Sequence, residues 1–154
     1  MKYKGVCIAV KDIDLSKKFY QDLFELEVFQ DYGRNVSFGE LSLQQDFDWL
    51  LSIPKDSILK ESHNMELYFE EDNFDDFIAK LQQRNGIRYI GNGVKEADWG
   101  QRSIRFYDLD GHIVEVGENM KMVVKRFLDS GLSMTETSKR MDVSLSDLET
   151  LLNN

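Results

Sequence analysis

The side chains that most readily do chemistry are scarce in this chain. It holds one cysteine, Cys7, and two histidines, His63 and His112. A single cysteine forms no intramolecular disulfide and no cysteine-rich zinc site. Cys7 sits inside the apolar run Val6-Cys7-Ile8-Ala9-Val10, where a small buried thiol is the expected reading. Both histidines fall near loops and read as surface residues rather than ligands. Trp99 and Arg102 put a flat ring and a rigid guanidinium close together, a pair able to stack on a ligand and bind an anion. A tryptophan before a tight turn is more often a packing anchor, so both roles stand. Asp108-Leu109-Asp110-Gly111 begins like a calcium loop but lacks the third acid and the distal glutamate, and reads as a hairpin turn. Glu70-Glu71-Asp72 and Asp75-Asp76 suit a solvated helix start better than a cation site.

The elements that must position these residues follow from apolar spacing. Val6–Val10 reads as a buried strand, and Asp12 and Asp14 offer helix-start chemistry. Leu15, Phe19, Tyr20, Leu23 and Phe24 follow at helical spacing. Leu26–Phe29, Asn35–Phe38 and Leu41–Gln44 read as three short strands. The pattern then restarts: a strand at Met65–Phe69, and a helix capped by Asn73 and carrying Phe74, Phe77, Ile78 and Leu81. Strands follow at Ile87–Ile90, Arg102–Tyr107 and Ile113–Val116. Sliding the second unit back by about 61 positions pairs Ile13 with Phe74, Tyr20 with Leu81 and Val28 with Tyr89, an internal repeat of apolar pattern rather than identity. The link from Phe47 to Asn64 carries Trp49, Leu50, Leu51 and Ile58, and part of it is expected to pack as a short helix. After residue 118 the pattern changes. Met120–Leu128 is helical, Gly131 suits a helix terminus, and Ser133-Met134-Thr135-Glu136 and Ser144-Leu145-Ser146-Asp147 are capping-box patterns. Three short helices are expected, with Leu132, Met141, Val143, Leu148 and Leu151 as their apolar side.

The 154 residues, 42% hydrophobic and 31% charged, suit one folded domain with a short appendage. The net charge of −9, with no segregated basic patch, argues against nucleic acid or an anionic membrane as partner. No apolar run reaches the roughly 18–20 residues that cross a bilayer. The opening Met1-Lys2-Tyr3-Lys4-Gly5 lacks the apolar stretch of a signal peptide, and a cytoplasmic location is expected.

Val10-Lys11-Asp12-Ile13-Asp14-Leu15-Ser16-Lys17-Lys18-Phe19-Tyr20 and Asp22-Leu23-Phe24-Glu25-Leu26-Glu27-Val28 resemble the opening of the vicinal-oxygen-chelate superfamily, the glyoxalase, bleomycin-resistance and extradiol-dioxygenase relatives. Glu25 stands where that family usually has glycine. Trp99-Gly100-Gln101-Arg102 and Asp108-Leu109-Asp110-Gly111-His112-Ile113-Val114-Glu115 resemble its closing segment. The resemblance covers about residues 4–118 and implies an α+β fold: two tandem βαβββ modules, about 4–46 and 64–118, forming an open curved sheet with a cleft. Residues 119–154 would be a helical tail with the rhythm of a helix-turn-helix module. Its second helix, with Asp147, Glu149 and no lysine or arginine, argues against DNA.

The resemblance also implies a site. In the metal-bearing branches, ligands come from the first and last strands of each module and hold a cation that chelates two substrate oxygens. Those positions fall here on Gly5, Gln44, Glu66 and Glu115. Gly5 supplies no ligand, and the set lacks the histidines of the lyases and iron dioxygenases. Glu66 and Glu115 are the catalytic candidates, as a base with a raised pKa or, with Gln44, as ligands to nickel, zinc, manganese or iron. The plainer reading pairs each glutamate with an arginine such as Arg102 or Arg105. Trp99, Arg102 and Gln44 are the ligand-binding candidates. Three functions stay open: binding of a small organic ligand, a metal-dependent lyase or isomerase of glyoxalase type, and a regulatory module using the helical tail. A homodimer is implied by the resemblance alone.

Overall fold

The computed structural model describes residues 1–153. They form two compact units, residues 1–64 with 108–112 and residues 65–107 with 113–153.

The first unit runs β1 (Val6–Val10), α1 (Ile13–Phe24), β2 (Gln30–Asp31), β3 (Asn35–Ser37), β4 (Leu41–Gln45) and a short α2 (Phe47–Leu51). Its sheet has the order β1-β4-β3-β2, with β1 parallel to β4 and the other pairs antiparallel. Asp12 caps α1 by accepting from the backbone N–H groups of Asp14 and Leu15 at 3.1 and 3.0 Å. Ile13, Ser16, Tyr20 and Leu23 form the buried stripe of α1. The helix ends at Glu25, whose φ of +57° is left-handed. This is the position where the family's glycine would stand, and the reason for that glycine is now visible: only glycine takes this conformation without strain.

The second unit repeats the scheme: β5 (Glu66–Glu71), α3 (Phe74–Gln82), β6 (Arg88–Glu96), β7 (Arg102–Tyr107) and β8 (Ile113–Glu118). The order β5-β8-β7-β6 has the same parallel and antiparallel pairings. Leu67, Ile104, Phe106, Val114 and Val116 point to one side and are buried with Phe74, Phe77 and Leu81 of α3. Three helices follow, α4 (Met120–Asp129), α5 (Met134–Met141) and α6 (Leu145–Asn153). They share a small core of Val123, Val124, Phe127, Met141 and Leu148. Ser133 and Glu136 form the expected capping box, and Ser144 and Asp147 exchange the same two bonds. The two βαβββ modules and the helical extension are therefore those anticipated from sequence. Among the described residues no helix is long and apolar enough to cross a membrane.

Several expectations are corrected. Leu26–Phe29 is not a strand; β2 begins at Gln30. The partner strand β3 ends at Ser37, and the chain turns back at Gly39, so nothing lies opposite residues 26–28. Strand β6 extends to Glu96 past Gly91 and Gly93, because a bulge between Ile90 and Lys95 absorbs the glycines while β7 keeps pairing. Cys7 is exposed. A strand that buries Ile8 and Val10 turns the residue between its first two apolar positions to the other face. The short helix α2 forms in the link, but it buries none of its residues, and Trp49 is 66% exposed. Asn73 stands at the start of α3 without a side-chain capping bond; Glu71 accepts from its backbone N–H instead.

Candidate functional site

The sheet of the second unit has a polar face, and strand alternation makes it. Glu66, Tyr68 and Glu70 of β5, Ser103 and Arg105 of β7, and Glu115 and Gly117 of β8 all lie opposite the buried apolar set. Register then sets the pairs. Arg105 is directly opposite Glu115, and Tyr68 is beside it on the parallel strand.

Arg105 is the centre of this face. Its Nε donates to Glu66 Oε2 at 3.1 Å, its Nη1 donates to Ser103 Oγ at 3.2 Å, and its Nη2 pairs with Glu115. Glu115 is only 6% exposed. Burial pushes its carboxyl above the usual glutamate range, and a hydrogen bond with Glu66 raises it further. The Arg105 charge and the Ser103 hydroxyl pull the other way without reversing it.

A second chain of bonds runs beside the first. Trp99 Nε1 donates to Gln101 Oε1 at 3.3 Å, and Gln101 Nε2 donates to the Tyr68 hydroxyl at 2.8 Å and to the Glu118 carbonyl at 3.0 Å. The Tyr68 hydroxyl donates in turn to Glu70 at 2.9 Å. Burial is the largest influence on the Tyr68 phenol and holds it above its ordinary range. Gly117 leaves room for this chain: a Cβ there would stand 2.9 Å from Gln101 Nε2 and 3.1 Å from the Tyr68 ring. Between the two chains opens a pocket of about 220 Å³, lined by Lys95, Trp99, Gln101, Ser103, Arg105 and Glu115 among others.

The structure brings Glu66, Glu115 and Trp99 of the expected residues to this face. Arg102 lies on the opposite face of β7. There it binds Glu118 with Nε and Nη2 at 3.0 Å each and Asp75 with Nη1 at 2.8 Å, over the ring of Phe74. Gln44 belongs to the first unit, where its Oε1 accepts from Asn35 and its Nε2 donates to the Gln45 carbonyl. Gly5 is a packing residue. A Cβ there would fall 1.8 Å from the Glu40 carbonyl oxygen, beside the first β1–β4 hydrogen bond. His112 contacts the Ala9 carbonyl through a ring nitrogen at 2.7 Å. Asp108 and Asp110 spend their oxygens on Tyr20, Lys11, Ser16 and their own turn.

The donor set does not fit a divalent ion. Among the described residues no three His, Cys, Asp or Glu side chains are arranged to hold a metal. Between the two glutamates, where a cation would be expected, stands the Arg105 guanidinium. Ser103, Gln101 and Tyr68 escaped the sequence reading, which weighed Arg105 only as a partner for the glutamates. A signal was present for Ser103 and for the position of Arg105. The Asp110-Gly111 turn fixes the β7–β8 register, and alternation then puts Arg105 and Ser103 on the face of Glu115.

Residues 3–121 match the sequence pattern of the glyoxalase-like domain. A comparison with the curated proteins gives no match. Among solved structures, a protein of unknown function from Agrobacterium tumefaciens str. C58 is 31% identical, with TM-score 0.64, over 77% of this chain and 94% of that one. A glyoxalase-related enzyme from Fulvimarina pelagi is 16% identical, with TM-score 0.62, over 78% of this chain and 89% of that one. A genomically encoded fosfomycin resistance protein from Listeria monocytogenes is 18% identical, with TM-score 0.56, over 77% and 93%. With the pattern matched along both modules, the chain belongs to the glyoxalase-like domain family, within the vicinal-oxygen-chelate superfamily.

Proposed function

We propose that the polar face of the second unit binds a small oxygen-bearing organic molecule, with Arg105 as the cationic group and Glu115 as the proton-holding group. The observation that carries this reading is the buried Glu115 carboxyl, paired with Arg105 at the wall of a pocket. A volume of about 220 Å³ is below the range of roughly 300–1,000 Å³ that holds drug-sized ligands, so the ligand is compact. Trp99 offers it a flat wall, and the guanidinium offers a planar donor pair for a carboxylate or a developing enolate.

The same arrangement supports proton transfer. In its ionised form a carboxylate with a raised pKa is a stronger base: it accepts a proton from carbon beside a carbonyl and returns it elsewhere, while the guanidinium steadies the negative oxygen. The matches to a glyoxalase-related enzyme and a fosfomycin resistance protein agree with small-molecule chemistry. A metal-dependent lyase would need a cation where Arg105 sits. The exposed run Trp49-Leu50-Leu51 supports a homodimer in which a second copy covers it.

The test is a thermal-shift panel of small carboxylates, 2-oxo acids and 2-oxo aldehydes against the wild type, Glu115→Gln and Arg105→Gln. A melting-temperature gain for the wild type that both variants lose supports the reading. Equal gains in all three proteins place the ligand elsewhere. A gain from zinc, nickel, manganese or iron alone, lost in Glu115→Gln, would replace this reading with the metal-dependent one.

A further inference from the structure

Residues 122–154 lie beyond the family match, yet their helices grip one segment of the family domain. That segment is 96–101, the rim of the pocket. Gly100 has φ +93°, and a Cβ there would stand 2.3 Å from Cζ of Phe127 on α4. The bare glycine is thus the seat of the Phe127 ring. Arg126 of α4 donates from Nη2 to the Gly100 carbonyl at 2.5 Å and from Nε and Nη2 to Glu118 at 3.1 and 3.0 Å. Arg140 of α5 donates to the Asp98 carbonyl, and its Nη2 binds Glu96 at 2.9 Å. Both guanidinium groups lie over the Phe127 ring, 5.0 and 5.3 Å from its centre.

The grip falls on the lining itself: Glu96 and Asp98, held with Gly100 by α4 and α5, line the pocket beside Lys95, Trp99 and Gln101. The rim's own bonds are few: Ala97 N–H donates to the Gln101 carbonyl, and Gly100 N–H to the Ala97 carbonyl. Two short backbone bonds do not fix a six-residue segment against solvent; Gln101 is tied to Tyr68 and the Glu118 carbonyl, and the tail supplies the anchors at Glu96, Asp98 and Gly100.

We propose that the C-terminal helices are a brace for the ligand site, and that Arg140 and the Phe127–Gly100 contact are positioning elements for Trp99 and Gln101. The inference deepens the reading of this pocket as the ligand site and rests on it for its functional meaning. Arg140 and Glu96 are each about 40% exposed on their side chains, so the clasp is one that water competes for and a modest perturbation can open. When it opens, the rim loses the orientation of the Trp99 ring and the alignment of Gln101 with Tyr68.

The experiment uses the full chain carrying Trp49→Phe, which leaves Trp99 as the sole tryptophan of the two in the sequence. Into it go Arg140→Ala, Arg140→Lys and Gly100→Ala, with Lys125→Ala, exposed on α4, as control. Acrylamide quenching of Trp99 and hydrogen exchange at the Ala97 and Gly100 amides are read without ligand. In Arg140→Ala, quenching is expected to rise and exchange to quicken by about tenfold, with α4–α6 still protected. Arg140→Lys should recover part of the protection, and Lys125→Ala should match the parent. Unchanged quenching and exchange in Arg140→Ala overturn the brace, and Gly100→Ala, if it folds, must loosen the rim too or the Phe127 seat is wrong. The panel above then separates the two ideas. A loosened rim with no Glu115-dependent binding leaves the brace standing and removes the ligand reading. Glu115-dependent binding with an unmoved rim does the reverse.

Discussion

Arg105 faces Glu115 across β7 and β8, and its guanidinium holds that carboxylate and Glu66 together. One cation between two acids is a site with its own counter-charge in place. It also accounts for why two glutamates tolerate each other on adjacent strands: the arginine lies between them and pairs with both.

The sign of the Glu115 shift sets a pH test. Burial, then the bond to Glu66, raises its folded value above the usual 4.5, so the folded protein holds this proton more tightly than the unfolded chain. The stability this gives is complete below the usual value and is lost as pH rises through the raised one. Glu115→Gln, which cannot ionise, should therefore melt above the wild type at pH 8 and level with it near pH 4. A variant that melts lower at pH 8 would show that the Arg105 pairing outweighs burial.

Glu118 titrates the other way. Burial pushes its carboxyl up, but the bonds from Arg102 and Arg126 more than reverse this and leave it below the ordinary range. Its contribution is full above the usual glutamate value and is lost as pH falls through the lowered one. Replacing it by alanine leaves Arg102 with Asp75 alone and Arg126 without its nearest carboxylate, and should cost about 3 kcal/mol at pH 7. Chemical denaturation at pH 7 and pH 3 should show the gap between variant and wild type narrowing in acid; a constant gap would mean the loss is one of packing.

Glu25 offers a stabilising change. It holds a left-handed conformation at the end of α1, with its N–H bonded to the Gln21 carbonyl at 3.0 Å. Glycine adopts that conformation freely, so Glu25→Gly should gain about 1 kcal/mol. A urea melt reads the change, and a loss of stability would show that the glutamate side chain contributes more than its backbone costs.

Much of the fold was legible because two local rules agreed. The helical spacing of Leu15, Phe19, Tyr20, Leu23 and Phe24 put Tyr20 and Leu23 on the buried side but missed that Ile13 and Ser16 are buried while Leu15 is exposed. The alternation from Arg102 to Tyr107 stated its buried side, and the Asp110-Gly111 turn set the register. Glu66, Glu115 and Trp99 were singled out from sequence, and strand register and the pocket lining bring them to the polar side of the second unit's sheet. Arg102 and Arg105 could not be told apart in role by type alone; alternation put them on opposite faces of β7, and the turn register told which of them faces Glu115. Leu26–Val28 alternates like a strand but lacks a partner, and a partner is a property of the chain thirteen residues away. The attachment of the tail to the 96–101 segment was invisible because two of its bonds go to backbone carbonyls, which carry no residue identity, and the rest pair residues far apart in the chain.

The hydroxyl of Tyr20 donates to Asp108 at 2.8 Å, and Asp110 accepts from Lys11 and Ser16 at the start of α1. The first unit is thus written in two places in the chain. During synthesis its opening helix emerges long before the carboxylates that satisfy it, and residue 112 must clear the ribosome before that half is complete. The nascent first half must wait, with the Tyr20 and Ser16 hydroxyls and the Lys11 N–H unmatched, for a turn made about ninety residues later. Cutting the gene at the link between the repeats would therefore yield two fragments, of which the first is missing its own last piece.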